Sequence, residues 1–134
     1  MLVYVDTSAL IALAMSTDKH HAEATEYFRK AVADGTRFVV GRPVLVEYVD
    51  GVVKRVGKPE AIRELRLLES TAIIRTEPDT EDDHTLGREL FLRYDDQTVD
   101  MTDSLSFAMM DRLGLKHAFT FDSDFVIHGL TRLP

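Results

Sequence analysis

The sequence predicts an α/β protein, a three-layer α/β/α sandwich with a parallel central sheet. Three observations predict it. Short apolar runs alternate with longer helical stretches from one end of the chain to the other, the pattern of strands joined by helical crossovers. The first run, Leu2–Val5, is apolar without alternation, as expected of a strand covered on both faces. Acidic residues follow the first and last of the long runs at once, at the carboxyl edge where ligands of parallel sheets gather.

The elements read as follows. Leu2–Val5 is a strand with its place in the middle of the sheet. Asp6-Thr7-Ser8 follows, and Ala9–Met15 reads as a short helix. Asp18–Ala33 is a second helix, with Ala22, Tyr27, Phe28 and Val32 as apolar positions and Gly35 just past its end. Arg37–Val40 is a second strand. Gly41-Arg42-Pro43 opens the next helix, since proline suits the first helical position. Leu45, Tyr48, Val49, Val52, Val53 and Val56 form its apolar stripe, and Gly57 ends it. Pro59–Glu69 is a helix and Ala72–Arg75 a third strand. Beyond Pro78, Thr80–Tyr94 is a helix carrying Leu86, Leu90 and Phe91, and Asp95–Asp100 is an acidic loop. Thr102–Leu113 is a largely apolar helix closed by Gly114. Lys116–Phe121 is a fourth strand, Asp122–Ile127 a turn or short helix, and Thr131–Leu133 a last edge strand.

The length of 134 residues fits a single domain over 1–134 and is enough to bury a core without staples. The absence of cysteine excludes disulfides and thiolate metal sites. The start is too short in apolar residues for a signal peptide, and no run approaches the roughly 20 residues of a membrane helix. The expectation is a soluble, cytoplasmic protein with no membrane partner. The formal net charge of −7 counts against a polyanionic partner unless some acids hold cations that meet the phosphates.

The positions of the acids decide between these readings. Asp6 directly follows the first strand, Glu47 lies in the first turns of the helix after the second, and Asp122 follows the fourth. Asp103 opens the helix that runs back into the fourth strand, so it starts near the same edge. Singly, Asp6, Asp103 and Asp122 are explained as helix caps and Glu47 as a solvated residue. Asp103 resists that account, because it shares a helix side with Phe107 and Met110, where a carboxylate is costly unless paired or bound to a cation. Four carboxylates at one edge would repel one another and raise their own pKa values. No lysine or arginine stands beside them in sequence. Mg²⁺, or Mn²⁺ in its place, prefers such oxygen ligands, activates water and offsets charge on a phosphoryl oxygen.

Four segments, Asp6-Thr7-Ser8-Ala9-Leu10, Pro43-Val44-Leu45-Val46-Glu47, Thr102-Asp103-Ser104-Leu105 and Thr120-Phe121-Asp122-Ser123-Asp124-Phe125, together resemble the PIN-domain family in order and spacing. The resemblance spans essentially the whole chain and rests on the four segments jointly. It implies magnesium-dependent cleavage of RNA, with Asp6, Glu47, Asp103 and Asp122 as catalytic acids at the metal and Asp124 as a further acid carried by some members. Ser8 matches the small hydroxyl residue of the first segment, with a role in orienting ligand or water. The short chain is similar to VapC-type toxins, which implies a separate antitoxin protein and a homodimer.

Other residues bear on this reading. Arg42, at the carboxyl end of the second strand, is placed either at a substrate phosphate or in a surface ion pair. Asp50 is the rival of Glu47 one turn on, and Asp95, Asp96 and Asp100 are read as solvated loop acids. His20 and His21 diverge by about 100° on a helix and read as surface. His84, His117 and His128 are scattered, and Met109, Met110 and the phenylalanines read as core or dimer contact. A haloacid-dehalogenase-like phosphatase needs an acid where Ser8 stands. A receiver domain needs an acidic pair where the first strand has the lone Asp6, although Glu77 and Asp79 follow the third strand. A PIN-like fold kept only for binding is the non-enzymatic alternative.

Overall fold

A computed structural model describes all 134 residues. Its five strands are β1 (Leu2–Val5), β2 (Arg37–Gly41), β3 (Ile74–Glu77), β4 (His117–Phe119) and β5 (Thr131–Leu133). They form one sheet in the order β3-β2-β1-β4-β5, and every pairing is parallel. The helices are α1 (Thr7–Ala14), α2 (His21–Ala33), α3 (Arg42–Arg55), α4 (Lys58–Ser70), α5 (Glu81–Arg93), α6 (Met101–Leu113) and α7 (Asp124–Ile127). β1 is the central strand, as its unbroken apolar run predicts, and Val3, Tyr4 and Val5 are all buried.

The register fixes what each face packs against. Tyr4 pairs with Val39, while Val3 pairs with Phe38 and Val5 with Phe119. Tyr4 and Val39 therefore share one face, and Val3, Val5, Phe38 and Phe119 the other. Tyr27 and Phe28 of α2 pack their rings on Phe38 and Phe119. On the opposite face the Tyr4 hydroxyl donates to Ser106 Oγ of α6 at 2.9 Å. The reversal of strand order beside β1 thus places helices on both faces. Gly41 joins β2 to α3 under α6, and any side chain there would meet the Tyr4 hydroxyl and the Met109 sulfur.

Several element bounds differ from the sequence expectation, each for a local reason. α1 begins at Thr7 because Asp6 itself caps it. α2 begins only at His21, because Asp18 folds the preceding residues into a turn: its Oδ1 accepts from the His20 N–H at 2.8 Å. β3 lies two residues later than expected, where pairing from Phe38–Ile74 to Gly41–Glu77 sets it. β4 stops at Phe119, since Thr120 and Asp122 turn away to serve the site described below. On α3 the buried residues are Val44, Tyr48 and Val52, one side of the helix at intervals of four. Val53 and Val56, expected in the stripe, are exposed, as is Ala22 on α2, where Ala24 is buried instead.

Behind the sheet edge, Asp83 of α5 is buried and bound by the Arg112 guanidinium through Nε at 2.9 Å and Nη2 at 2.9 Å. Arg112 also reaches the Pro78 carbonyl and Glu77. This ties α6 to the β3–α5 connection and holds the Asp83 carboxyl below its usual pKa range against the opposing effect of burial. Arg112→Ala should leave that carboxylate buried without a partner and cost about 2–3 kcal/mol, discounted for the partly exposed guanidinium. Urea denaturation at neutral pH checks this; a loss within about 0.5 kcal/mol would show that the pair holds nothing together.

Candidate active site

Asp6 stands one residue beyond the central strand and is only 4% exposed. Its Oδ2 accepts from Ser8 Oγ at 2.9 Å and from Thr120 Oγ1 at 2.9 Å. The same hydroxyls then serve the returning chain: Ser8 Oγ accepts from the Phe121 N–H at 3.0 Å, and Thr120 Oγ1 from the Asp122 N–H at 3.0 Å. One carboxylate thus lashes the end of β1 to the turn after β4. Burial pushes the Asp6 carboxyl up to about 6, against the hydrogen bonds from Ser8 and Thr120.

Asp103 sits in the first turn of α6, opposite Asp100 in a reciprocal cap. Asp100 Oδ1 accepts from the Asp103 N–H at 2.8 Å, and Asp103 Oδ2 from the Asp100 N–H at 3.3 Å. Burial, and then the nearby charges of Asp100 and Asp6, push Asp103 up to about 8. Asp122 is also raised, first by burial and then by Asp124 and Asp100, while Arg132 opposes the shift. Its Oδ1 accepts from the Asp124 N–H at 2.9 Å. Asp124 is buried at the start of α7 and accepts from Thr98 Oγ1 at 2.8 and 3.0 Å.

Asp6, Ser8, Glu47, Asp103 and Asp122 line one open cleft of about 310 Å³. Glu47 is exposed and comes in from the wall formed by α3. Asp124 is not in that lining, yet Asp103, Asp122 and Asp124 each offer an oxygen within 4.8 Å of the others. Arg42 does not join the cleft; it is exposed at the start of α3, where its charge acts on Asp79. Asp50, Asp95 and Asp96 also stay outside the lining, whereas Asp100 belongs to it.

Sequence reasoning missed Thr120, Thr98, Asp18, His20 and Arg55. Arg55 was legible, since it falls two helical turns after Glu47 on one side of α3 and supplies the cleft's single Lys or Arg. The Asp100-x-x-Asp103 spacing was legible as a capping box. Thr120 and Thr98 act only across the fold, at sequence separations of 114 and 26 residues, so no local pattern marks them.

The cleft suits a hard divalent cation. Its anionic donors are carboxylates, three of which, Asp6, Asp103 and Asp122, are raised in pKa, a cost that a cation would relieve. The Thr7 hydroxyl, also in the lining, is buried with no partner, an oxygen left free for water or ligand.

The PIN domain family model matches residues 3–128. This chain belongs to the PIN-domain family. The PIN domain is 27% identical over 132 residues to the 23S rRNA-specific endonuclease VapC20 of Mycobacterium tuberculosis, covering 98% of each chain. It also superimposes on the crystal structure of that VapC20, described as a sarcin-ricin loop cleaving toxin, with a TM-score of 0.87, 26% identity and 96% of each chain covered. The VapBC2 structure of Rickettsia felis, bound to promoter DNA, matches with a TM-score of 0.75 at 15% identity, over 99% of this chain and 98% of that one. At that identity the likeness is one of fold.

Proposed function

We propose that residues 1–134 form one nuclease domain, a divalent-metal-dependent endoribonuclease that is the toxin of a toxin–antitoxin pair. The observation that carries this is the convergence of Asp6, Glu47, Asp103 and Asp122 from four separate elements on one cleft, with Asp124 beside Asp103 and Asp122. These acids are the metal holders, with Mg²⁺ as the cofactor and Mn²⁺ as a substitute. When bound, the ion supplies Lewis acidity toward the phosphoryl group and acidifies water. Ser8 and Thr120 hold the Asp6 carboxylate in one orientation, Thr98 holds Asp124, and the Asp124 N–H fixes Asp122. Ser8 thereby acts on the site through Asp6. Arg42 is not part of the cleft lining and its charge acts on Asp79, so its place is a surface one or a contact with RNA away from the acids.

The whole-length likeness to a 23S rRNA endonuclease supports ribosomal RNA as the substrate class. A separate antitoxin is supported by an apolar groove of about 590 Å³ between α1, α2 and α4, lined by Leu13, Met15, Phe28, Leu67 and Ile73 among others. A cytoplasmic location follows from that substrate; no helix is long and apolar enough to cross a membrane. A homodimer is supported by Val46, Val53 and Ile62, which stand exposed on α3 and α4 outside that groove. Light scattering at high micromolar concentration should give twice the chain mass of 15.2 kDa; a monomer mass would exclude the dimer.

Incubation of the purified protein with ribosomal RNA and a panel of structured RNAs, with Mg²⁺ and with chelator, tests the main reading. Site-specific fragments should appear only with the metal. Equal cleavage in chelator, or none of any RNA, would overturn it.

A further inference from the structure

His20 and Arg55 line the acidic cleft, but neither helps to hold the acids. His20 lies in the turn before α2, and three bonds order that turn: Asp18 N–H to the Met15 carbonyl at 3.0 Å, His20 N–H to Asp18 Oδ1 at 2.8 Å and His21 N–H to the Asp18 carbonyl at 3.0 Å. The His20 ring lies flat on Phe121, with centroids 4.3 Å and planes 6° apart. Phe121 packs edge-on against the core residue Phe119, and its N–H is tied to Ser8 Oγ. A column of rings thus rises from the core and ends at the cleft on an imidazole whose side chain is still 35% exposed. Phe121 immediately precedes Asp122, so the column stands one residue from the acids.

A partly exposed flat ring, packed on Phe121 by one face and with Nδ1 3.9 Å from Glu23, is what an unpaired base stacks on, and the ordering has been done before the ligand arrives. Arg55 supplies the complementary feature. It is exposed, it is the cleft's only Lys or Arg, and it takes part in none of the chain's ion pairs despite the acids around it. A guanidinium so placed is free for a phosphate.

We propose that the mouth of the cleft is an RNA subsite in which an unpaired nucleobase stacks on His20, backed by Phe121, while Arg55 holds a neighbouring phosphate. The proposal rests on the nuclease reading and adds to it two residues at the mouth of the cleft that hold the substrate without touching the metal site. A base still paired and stacked in a duplex has no free face for His20.

Binding of a short fluorescein-labelled single-stranded RNA, followed by anisotropy in Ca²⁺, tests this, with the probe checked intact on a gel. His20→Ala should weaken binding about 5- to 100-fold, the usual worth of one stacked base. His20→Phe keeps a flat ring and should bind within about threefold of the wild type. Arg55→Ala should lower the slope of log affinity against log salt by roughly 0.7, the loss of one phosphate contact on a single strand. Lys116→Ala, at the opposite edge of the sheet, should change neither reading. The same RNA as a blunt duplex should bind weakly to the wild type and show no His20 effect.

Wild-type affinity in His20→Ala, or a His20→Phe protein as weak as His20→Ala, overturns the stacking site. An unchanged salt slope in Arg55→Ala overturns the phosphate contact. If the wild type cleaves RNA with Mg²⁺ while these variants bind normally, this inference alone fails. If the wild type neither binds nor cleaves any RNA, the nuclease reading fails and this one with it.

Discussion

Asp6→Asn and Asp103→Asn should each slow RNA cleavage by about 10²- to 10³-fold at saturating Mg²⁺, because each removes an anionic ligand of the cation that offsets charge on the phosphoryl oxygens in the transition state. Asparagine keeps the side-chain size, so Ser8 Oγ and Thr120 Oγ1 retain an acceptor in Asp6→Asn, and the reciprocal cap with Asp100 survives in Asp103→Asn. The loss is therefore one of charge and not of fold. Ser8→Ala and Thr120→Ala leave every acid in place but free the Asp6 carboxylate to turn, which should cost nearer tenfold, the scale of a ligand that has lost its orienting partner. Glu69→Gln, on the exposed side of α4, should change nothing. Single-turnover cleavage of one RNA by each variant, with and without chelator, makes the comparison. Wild-type rates in Asp6→Asn and Asp103→Asn would remove these acids from the chemistry altogether.

The fold was legible wherever one local rule decided the outcome. The unbroken apolar run of Leu2–Val5 announced the central strand, and the alternation of strands and helices announced a parallel sheet. The errors fall where tertiary partners decide. Asp18 looked like part of a helix, but its carboxylate folds a turn that carries His20 to the cleft. Val53 and Val56 fall in the apolar stripe by helical spacing, yet the packed side of α3 runs through Val44, Tyr48 and Val52. β3 slid by two residues because its register is set by β2, not by its own sequence.

The convergence of the acids was legible for a related reason: Asp6, Asp103 and Asp122 stand at or near element ends on the carboxyl edge, and Glu47 one turn into the helix that leaves it, so topology brings them to one cleft. What could not be read was their support. The hydroxyls of Thr120 and Thr98 reach carboxylates far away in sequence. The stack of His20 on Phe121 joins residues 101 positions apart by the difference of their numbers, so His20 read as surface and Phe121 as core. Arg42 and Arg55 show the opposite limit. Proximity to a strand end favoured Arg42, whereas helix periodicity from Glu47 brings Arg55 into the cleft.

The metal-free protein should lose stability as pH rises, which is the reverse of ordinary acid denaturation. Asp6 and Asp103 are both raised from the usual aspartate value of about 3.9, to about 6 and about 8. Between the unfolded and folded values the unfolded chain has released protons that the native state still holds, so the native state is progressively disfavoured as pH climbs from 4 to 8. For Asp6 alone a shift of about two units corresponds to a loss on the order of 3 kcal/mol by neutral pH. The contribution is fully present below pH 4 and gone above the folded pKa. Asp103→Asn removes one of these titrations, the larger of the two shifts. In chelator it should therefore be more stable than the wild type at pH 8, with the gap closing near pH 4. Mg²⁺ or Mn²⁺ should reverse the order at pH 8, since a ligand at a hundredfold excess over its dissociation constant adds about 2.7 kcal/mol to a native state that holds it, and the variant holds it poorly. Urea titrations of both proteins at pH 4, 6 and 8, with metal and with chelator, resolve all of this. Chelated wild type that matches Asp103→Asn at every pH would mean that the acids are not in strain. A metal-induced gain equal in the two proteins would mean that the ion binds somewhere else.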